Sequence, residues 1–159
     1  MDFLPIRVPM GASCRPAKTG LLACAVLLAA WLVGCTGEPQ ADSANSAQIQ
    51  AGKALYGTYC AVCHGAELQG QEDWKSRSQA GKLPAPPHDA SGHTWHHDDE
   101  TLLNITMFGL EKYAGPDYKT DMPKYAGVLS NQQALSVLAY IKSTWPAEVQ
   151  ARQASINRK

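Results

Sequence analysis

Cys60-Ala61-Val62-Cys63-His64 carries two thiols three positions apart and an imidazole directly after the second. On a helical turn, side chains at that spacing share a face. Both thiols can then add to the two vinyl groups of one porphyrin, while His64 reaches the iron as a proximal ligand. The chemistry implied is covalent attachment of a single haem c. Two other uses of a Cys-x-x-Cys pair fit less well. A structural zinc site needs a second pair of ligands, and the remaining cysteines, Cys14, Cys24 and Cys35, all lie in an N-terminal segment with the marks of an export signal. A redox dithiol of the thioredoxin kind needs strands on either side, whereas the flanking chain has helical spacing.

A second group of potential ligands follows. His88, His93, His96 and His97 are four of the five histidines, and they stand among Trp95, Asp89, Asp98 and Asp99. Imidazole and carboxylate together suit copper or zinc, and His-rich tracts are a compositional pointer to metal binding. The alternative is a structural role on a loop leading into a helix, with Asp98 as its cap.

The elements that must hold these residues are helical. Ile49, Gly52, Leu55 or Tyr56, and Tyr59 recur at helical spacing, which predicts a helix running from about Ala47 into the cysteine motif. Glycine within a helix costs about 1 kcal/mol relative to alanine, so Gly52 suggests close approach by another element. A loop-rich stretch follows Gly65 and runs through Pro84-Ala85-Pro86-Pro87. A second helix is expected from about Asp98 to Phe108, its acidic start matched to the helix dipole. After a loop containing Met122, Ser130-Asn131-Gln132-Gln133 forms a capping-box pattern. Ala134, Val137 or Leu138, Ile141 and Trp145 then make an apolar stripe that Pro146 is expected to end.

The N-terminus points to export. Arg15 and Lys18 precede an apolar run from Leu21 to Val33, too short for the roughly 20 apolar residues of a membrane-spanning helix. It ends in Leu32-Val33-Gly34-Cys35, which resembles the lipobox of bacterial lipoproteins. Residues 1–34 are thus expected to be a lipoprotein-type signal peptide, starting at Met1 or Met10, and Cys35 the lipidated N-terminus of the mature chain. Residues 35–46, small and polar, are expected to form a flexible tether, residues 47–147 a single domain, and residues 148–159 a polar C-terminal tail. The 14 basic and 14 acidic residues shift slightly to the acidic side once Arg7, Arg15, Lys18 and Asp2 are removed. No basic stripe is present, so nucleic-acid binding has no electrostatic support.

The order of helix, cysteine motif, loops, helix, methionine loop and terminal helix resembles the class I c-type cytochromes. The most specific parts are Gly52-x-x-x-Tyr56-x-x-x-Cys60-Ala61-Val62-Cys63-His64-Gly65, Asp121-Met122-Pro123-Lys124-Tyr125 and Leu138-Ala139-Tyr140-Ile141. The resemblance implies an all-α fold packed around one haem. It implies a close crossing of the first and last helices with Gly52 facing Tyr140, and a carbonyl from Pro86 or Pro87 on the proximal histidine. It makes Met122 the distal iron ligand rather than Met107, a helical methionine more suited to core packing. It also implies that His88, His93, Trp95, His96 and His97 lie near the haem propionates.

Two function classes follow. One is a membrane-tethered, periplasm-facing one-electron carrier with His64 and Met122 as axial ligands. It would serve redox partners such as a membrane-associated oxidase, reductase or dehydrogenase, with the outer membrane favoured over the inner because Thr36 follows Cys35. The other is a copper-binding or metal-sensing module in which the segment 88–97 holds a second metal beside the haem. A haem enzyme of the peroxidase type would need an open iron position, which Met122 disfavours.

Overall fold

The computed structural model describes residues 39–158. The expected signal peptide, the apolar run and Cys35 lie outside the described residues. Within them the chain is helical and contains no strand, in agreement with the all-α expectation. None of these helices is long and apolar enough to cross a membrane.

The first helix, α1 (Ser46–Tyr59), starts where Asn45 accepts a hydrogen bond from the Gln48 amide through its side chain. A one-turn helix, α2 (Ala61–His64), follows directly, with Cys60 at the junction. After a long loop and a 3-10 turn at Thr94–His96, α3 spans Asp99–Phe108 with Asp98 as its N-cap. The short α4 (Glu111–Ala114) precedes the methionine loop. The α5 helix (Asn131–Ser143) opens with the expected capping box, Ser130 and Gln133 bonding each other's amides in both directions. The chain closes with α6 (Ala147–Asn157).

The core forms where α1 and α3 pack on α5. Leu135, Leu138 and Ala139 of α5 meet Leu102 of α3. Val137, Ile141 and Trp145 meet Tyr56 and Leu68. Ala134 joins Met107, Tyr125 and Leu129 beneath the methionine loop. Gly52 is the closest point of the α1–α5 crossing. A Cβ built there would overlap the Ser136 carbonyl and lie 3.0 Å from the Tyr140 Cβ.

Three boundaries differ from the sequence expectation. The tether expected at 35–46 is folded in its last part. Ala41 is buried against Leu102, Leu135 and Leu138, and the Asp42 amide donates to Gln48 Oε1. The expected polar tail at 148–159 is instead helix α6, docked on the 3-10 turn through Gln153, which is only 1% exposed. Its Nε2 donates to Asp99 Oδ1 and to the His97 carbonyl. A buried glutamine can anchor a helix that lacks an apolar stripe, because each polar atom finds a partner. The last core helix also stops at Ser143, and Pro146 caps α6 instead of ending α5.

Candidate haem-binding site

The α1 helix delivers Cys60 to the turn that carries Cys63 and His64. The Cys63 and His64 amides both donate to the Cys60 carbonyl, at 3.1 and 2.9 Å. Gly65 ends the turn at φ +80°, in the left-handed region that favours glycine. Its carbonyl accepts a hydrogen bond from the buried Tyr56 hydroxyl at 2.9 Å. The thiols of Cys60 and Cys63 are free and partly buried. Burial, followed by the neighbouring Cys63, pushes the Cys60 thiol up to about 11. A redox dithiol works through a lowered thiol pKa, so Cys60 has the opposite character.

His64 is buried, and its Nδ1 donates to the Pro86 carbonyl at 2.8 Å. Of the two prolines left open by the sequence, Pro86 is the one engaged. A carbonyl can only accept, so the Nδ1 proton is fixed and Nε2 keeps the lone pair needed by a metal. Burial lowers the His64 pKa, partly opposed by the Pro86 bond, and this favours the neutral ring. Backbone pairing holds the proline run in place. The Gln71 amide donates to the Ala85 carbonyl, the His88 amide to the Leu68 carbonyl, and the Gly70 amide to the His64 carbonyl.

Met122 lies partly buried on the loop between α4 and α5. Its amide donates to Thr120 Oγ1 at 3.0 Å, and Asp121 before it pairs with Lys82. Three residues on, the Tyr125 hydroxyl donates to the Tyr59 carbonyl at 2.6 Å, tying this loop to the residue before Cys60. The Tyr125 and Ala126 amides add bonds to the Thr106 and Met107 carbonyls. Met107 itself is 4% exposed and packed against Tyr125, Leu129 and Ala134.

The histidine segment is dispersed rather than convergent. The His88 ring stacks on His64 with centroids 4.0 Å apart, and its Nδ1 shares a hydrogen bond with Thr94 Oγ1 at 2.9 Å. Burial, then the neighbouring His64 and His93, holds its pKa well below the usual histidine range. His93 is exposed and stacks on Trp74, with His97 edge-on to it. His96 stacks on Trp95, whose other contacts include the Arg152 guanidinium and the Ala90 carbonyl. Among the described residues, no group of three or more His, Cys, Asp or Glu side chains is arranged to share a metal ion. The copper reading therefore gains no support from this segment.

Two supporting residues escaped the sequence reading. Thr94 carried no motif. Trp145 was assigned to an apolar stripe, although its indole Nε1 donates to the His88 carbonyl at 2.8 Å. A buried tryptophan usually finds a partner for that N–H, which was the available signal.

Paired free thiols on one turn, an adjacent imidazole with a fixed tautomer and a thioether on a separate loop fit a covalently held haem. No curated protein and no solved structure matched the chain. The family model described as Cytochrome c matches residues 49–145, more than half of the sequence, and the chain belongs to the cytochrome c family.

Proposed function

We propose that this cytochrome c domain is a lipid-anchored, periplasm-facing carrier of single electrons, with Cys60 and Cys63 as haem thioether partners and His64 and Met122 as axial ligands. Family membership supports a haem-based electron carrier with covalent haem c, and the remaining assignments extend that reading to individual residues. The observation that carries them is the hydrogen bond from His64 Nδ1 to the Pro86 carbonyl beside two free thiols. The haem supplies the redox chemistry, and a soft thioether opposite an imidazole favours ferrous iron and a raised potential.

The chain's own residues hold rather than react. Pro86 orients the proximal imidazole and keeps its proton on Nδ1. Tyr125 and Lys82 restrain the loop bearing Met122. Tyr56 closes the turn behind the cysteines. Such restraint suits electron transfer, because little geometry has to change with oxidation state. Redox partners such as a membrane-associated oxidase, reductase or dehydrogenase would meet the domain transiently.

Anchoring through Cys35, with the outer membrane favoured over the inner, rests on the lipobox-like Leu32-Val33-Gly34-Cys35. Propionate contacts from His93, Trp95, His96 and His97 belong to the same reading, whereas His88, expected among them, is engaged by the His64 ring and the Thr94 hydroxyl instead. The test is a potentiometric titration of purified holoprotein with a carbon monoxide challenge. A reversible one-electron wave and no carbon monoxide adduct support the carrier. Rapid binding of carbon monoxide by the wild type would favour a haem enzyme.

A further inference from the structure

His88 is held more firmly than a loop histidine needs to be. Its amide donates to the Leu68 carbonyl at 2.8 Å, and its own carbonyl accepts from the buried Trp145 indole. Its Nδ1 is joined to the buried Thr94 hydroxyl, and the Tyr56 ring meets its edge with centroids 6.2 Å apart. The face of this fixed plate lies against His64, at 4.0 Å between centroids and 23° between planes.

The Pro86 carbonyl restrains His64 at one atom. One hydrogen bond fixes the direction of Nδ1 but only weakly limits tilting of the ring about the N–H···O line. A flat surface packed on the ring face limits that tilt directly. We propose that His88 is a positioning residue for His64, a planar plate that sets the plane of the proximal imidazole. This rests on the reading of His64 as an iron ligand. The metal ligand's orientation is then set by two partners outside the coordination shell, a carbonyl at the ring edge and an imidazole on the ring face. Supporting groups of this kind commonly tune the metal they surround.

The plate function predicts which substitutions are tolerated. His88→Phe keeps a planar face and loses the Thr94 bond. His88→Ala loses the face. Thr94→Val keeps the face and loosens its anchor. The readout is the pattern of haem methyl resonances in the oxidised holoprotein, which reports the plane of the axial imidazole, together with the reduction potential. His88→Ala is expected to reorder those resonances or double them and to shift the potential. His88→Phe is expected to retain the wild-type order, and Thr94→Val to broaden or slightly shift it. If His88→Ala leaves the pattern unchanged while lowering the melting temperature, the stack is only packing and the proposal is overturned. The same holds if His88→Phe disturbs the pattern as much as His88→Ala. Should His88→Ala fail to take up haem, the Phe and Val variants decide between these outcomes. A wild-type spectrum that His64→Ala leaves unaltered would overturn the ligand assignment itself, a result distinct from either.

Discussion

Gly52 of α1 lies directly against the Ser136 backbone of α5, so close that a Cβ on Gly52 would overlap the Ser136 carbonyl oxygen. This crossing brings Tyr56, one turn later, against Tyr140, with ring centroids 5.4 Å apart. Tyr56 then closes the cysteine turn through Gly65. The site thus inherits its geometry from a contact between two backbones.

That contact predicts opposite outcomes for two glycines in one helix. Gly52→Ala forces the helices apart and should cost about 1–3 kcal/mol or more. Gly57 has nothing within 4 Å of its Cβ position. Gly57→Ala should gain about 0.5–1 kcal/mol from better helix propensity. Denaturant unfolding of the two holoproteins measures both. Equal effects would show that the crossing is not the constraint.

The two methionines should separate function from packing. Met122→Ala is expected to remove the weak far-red sulfur-to-iron band, lower the reduction potential and admit carbon monoxide. Met107→Ala should keep the spectrum and lose about 2–5 kcal/mol, the usual cost of truncating a buried methionine. Optical spectra and unfolding curves on both variants supply the check, and exchanged phenotypes would move the ligand to Met107.

The α1 helix was legible from its apolar spacing, α3 from its acidic start at Asp98, and α5 from a capping box and an apolar stripe that agree, whereas the Asn45 cap of α1 was not read from the sequence. Asn45, Asp98 and Ser130 each cap a helix through the side chain. The α6 helix was not legible. Its docking combines Gln153 with Val149 at the core's edge rather than a continuous apolar face, and the Gln153 partners Asp99 and the His97 carbonyl are remote in sequence. Gly52 correctly signalled close approach. Its nearest neighbour is nevertheless the Ser136 backbone, one turn before the expected Tyr140, since at so close a crossing main chain meets main chain. Within the site, the cysteines, His64 and Met122 stood out by motif. The His88 stack did not, because a long loop separates His88 from His64 and only the fold joins them.

The α6 brace yields a stability prediction. Lys142 and Asp99 form an ion pair at 2.7 Å with side chains 10% and 19% exposed. Asp99→Ala leaves the Lys142 charge buried without a partner and should cost about 3–5 kcal/mol. Gln153→Ala removes the bridging amide and should cost about 1–3 kcal/mol. Replacing both members of the pair, Asp99→Leu with Lys142→Met, should recover part of the first loss. A double variant less stable than Asp99→Ala would contradict this account.

Asp98 supplies a pH-dependent term. Burial alone would raise its carboxyl, but the Thr101 amide and hydroxyl outweigh that and lower it. The unfolded chain therefore binds this proton more readily, and stability rises with pH. The contribution is complete above the unfolded carboxylate value of about 3.9 and is lost as pH falls through the lower folded value. Asp98→Ala should cost about 1 kcal/mol at neutral pH. The gap from wild type should narrow in acid, as thermal unfolding at several pH values would reveal. A constant gap would assign the cap's effect to shape rather than charge.

The central claim is that one haem is bound covalently through Cys60 and Cys63. Its most direct measurement is peptide mass spectrometry of denatured, alkylated protein produced with export and haem-ligation machinery. Cleavage after Lys53 and Lys75 releases residues 54–75, which contain both cysteines and His64. The account predicts that this peptide carries the mass of one haem and that neither cysteine takes up the alkylating agent. A haem-free peptide alkylated at both Cys60 and Cys63 would contradict it.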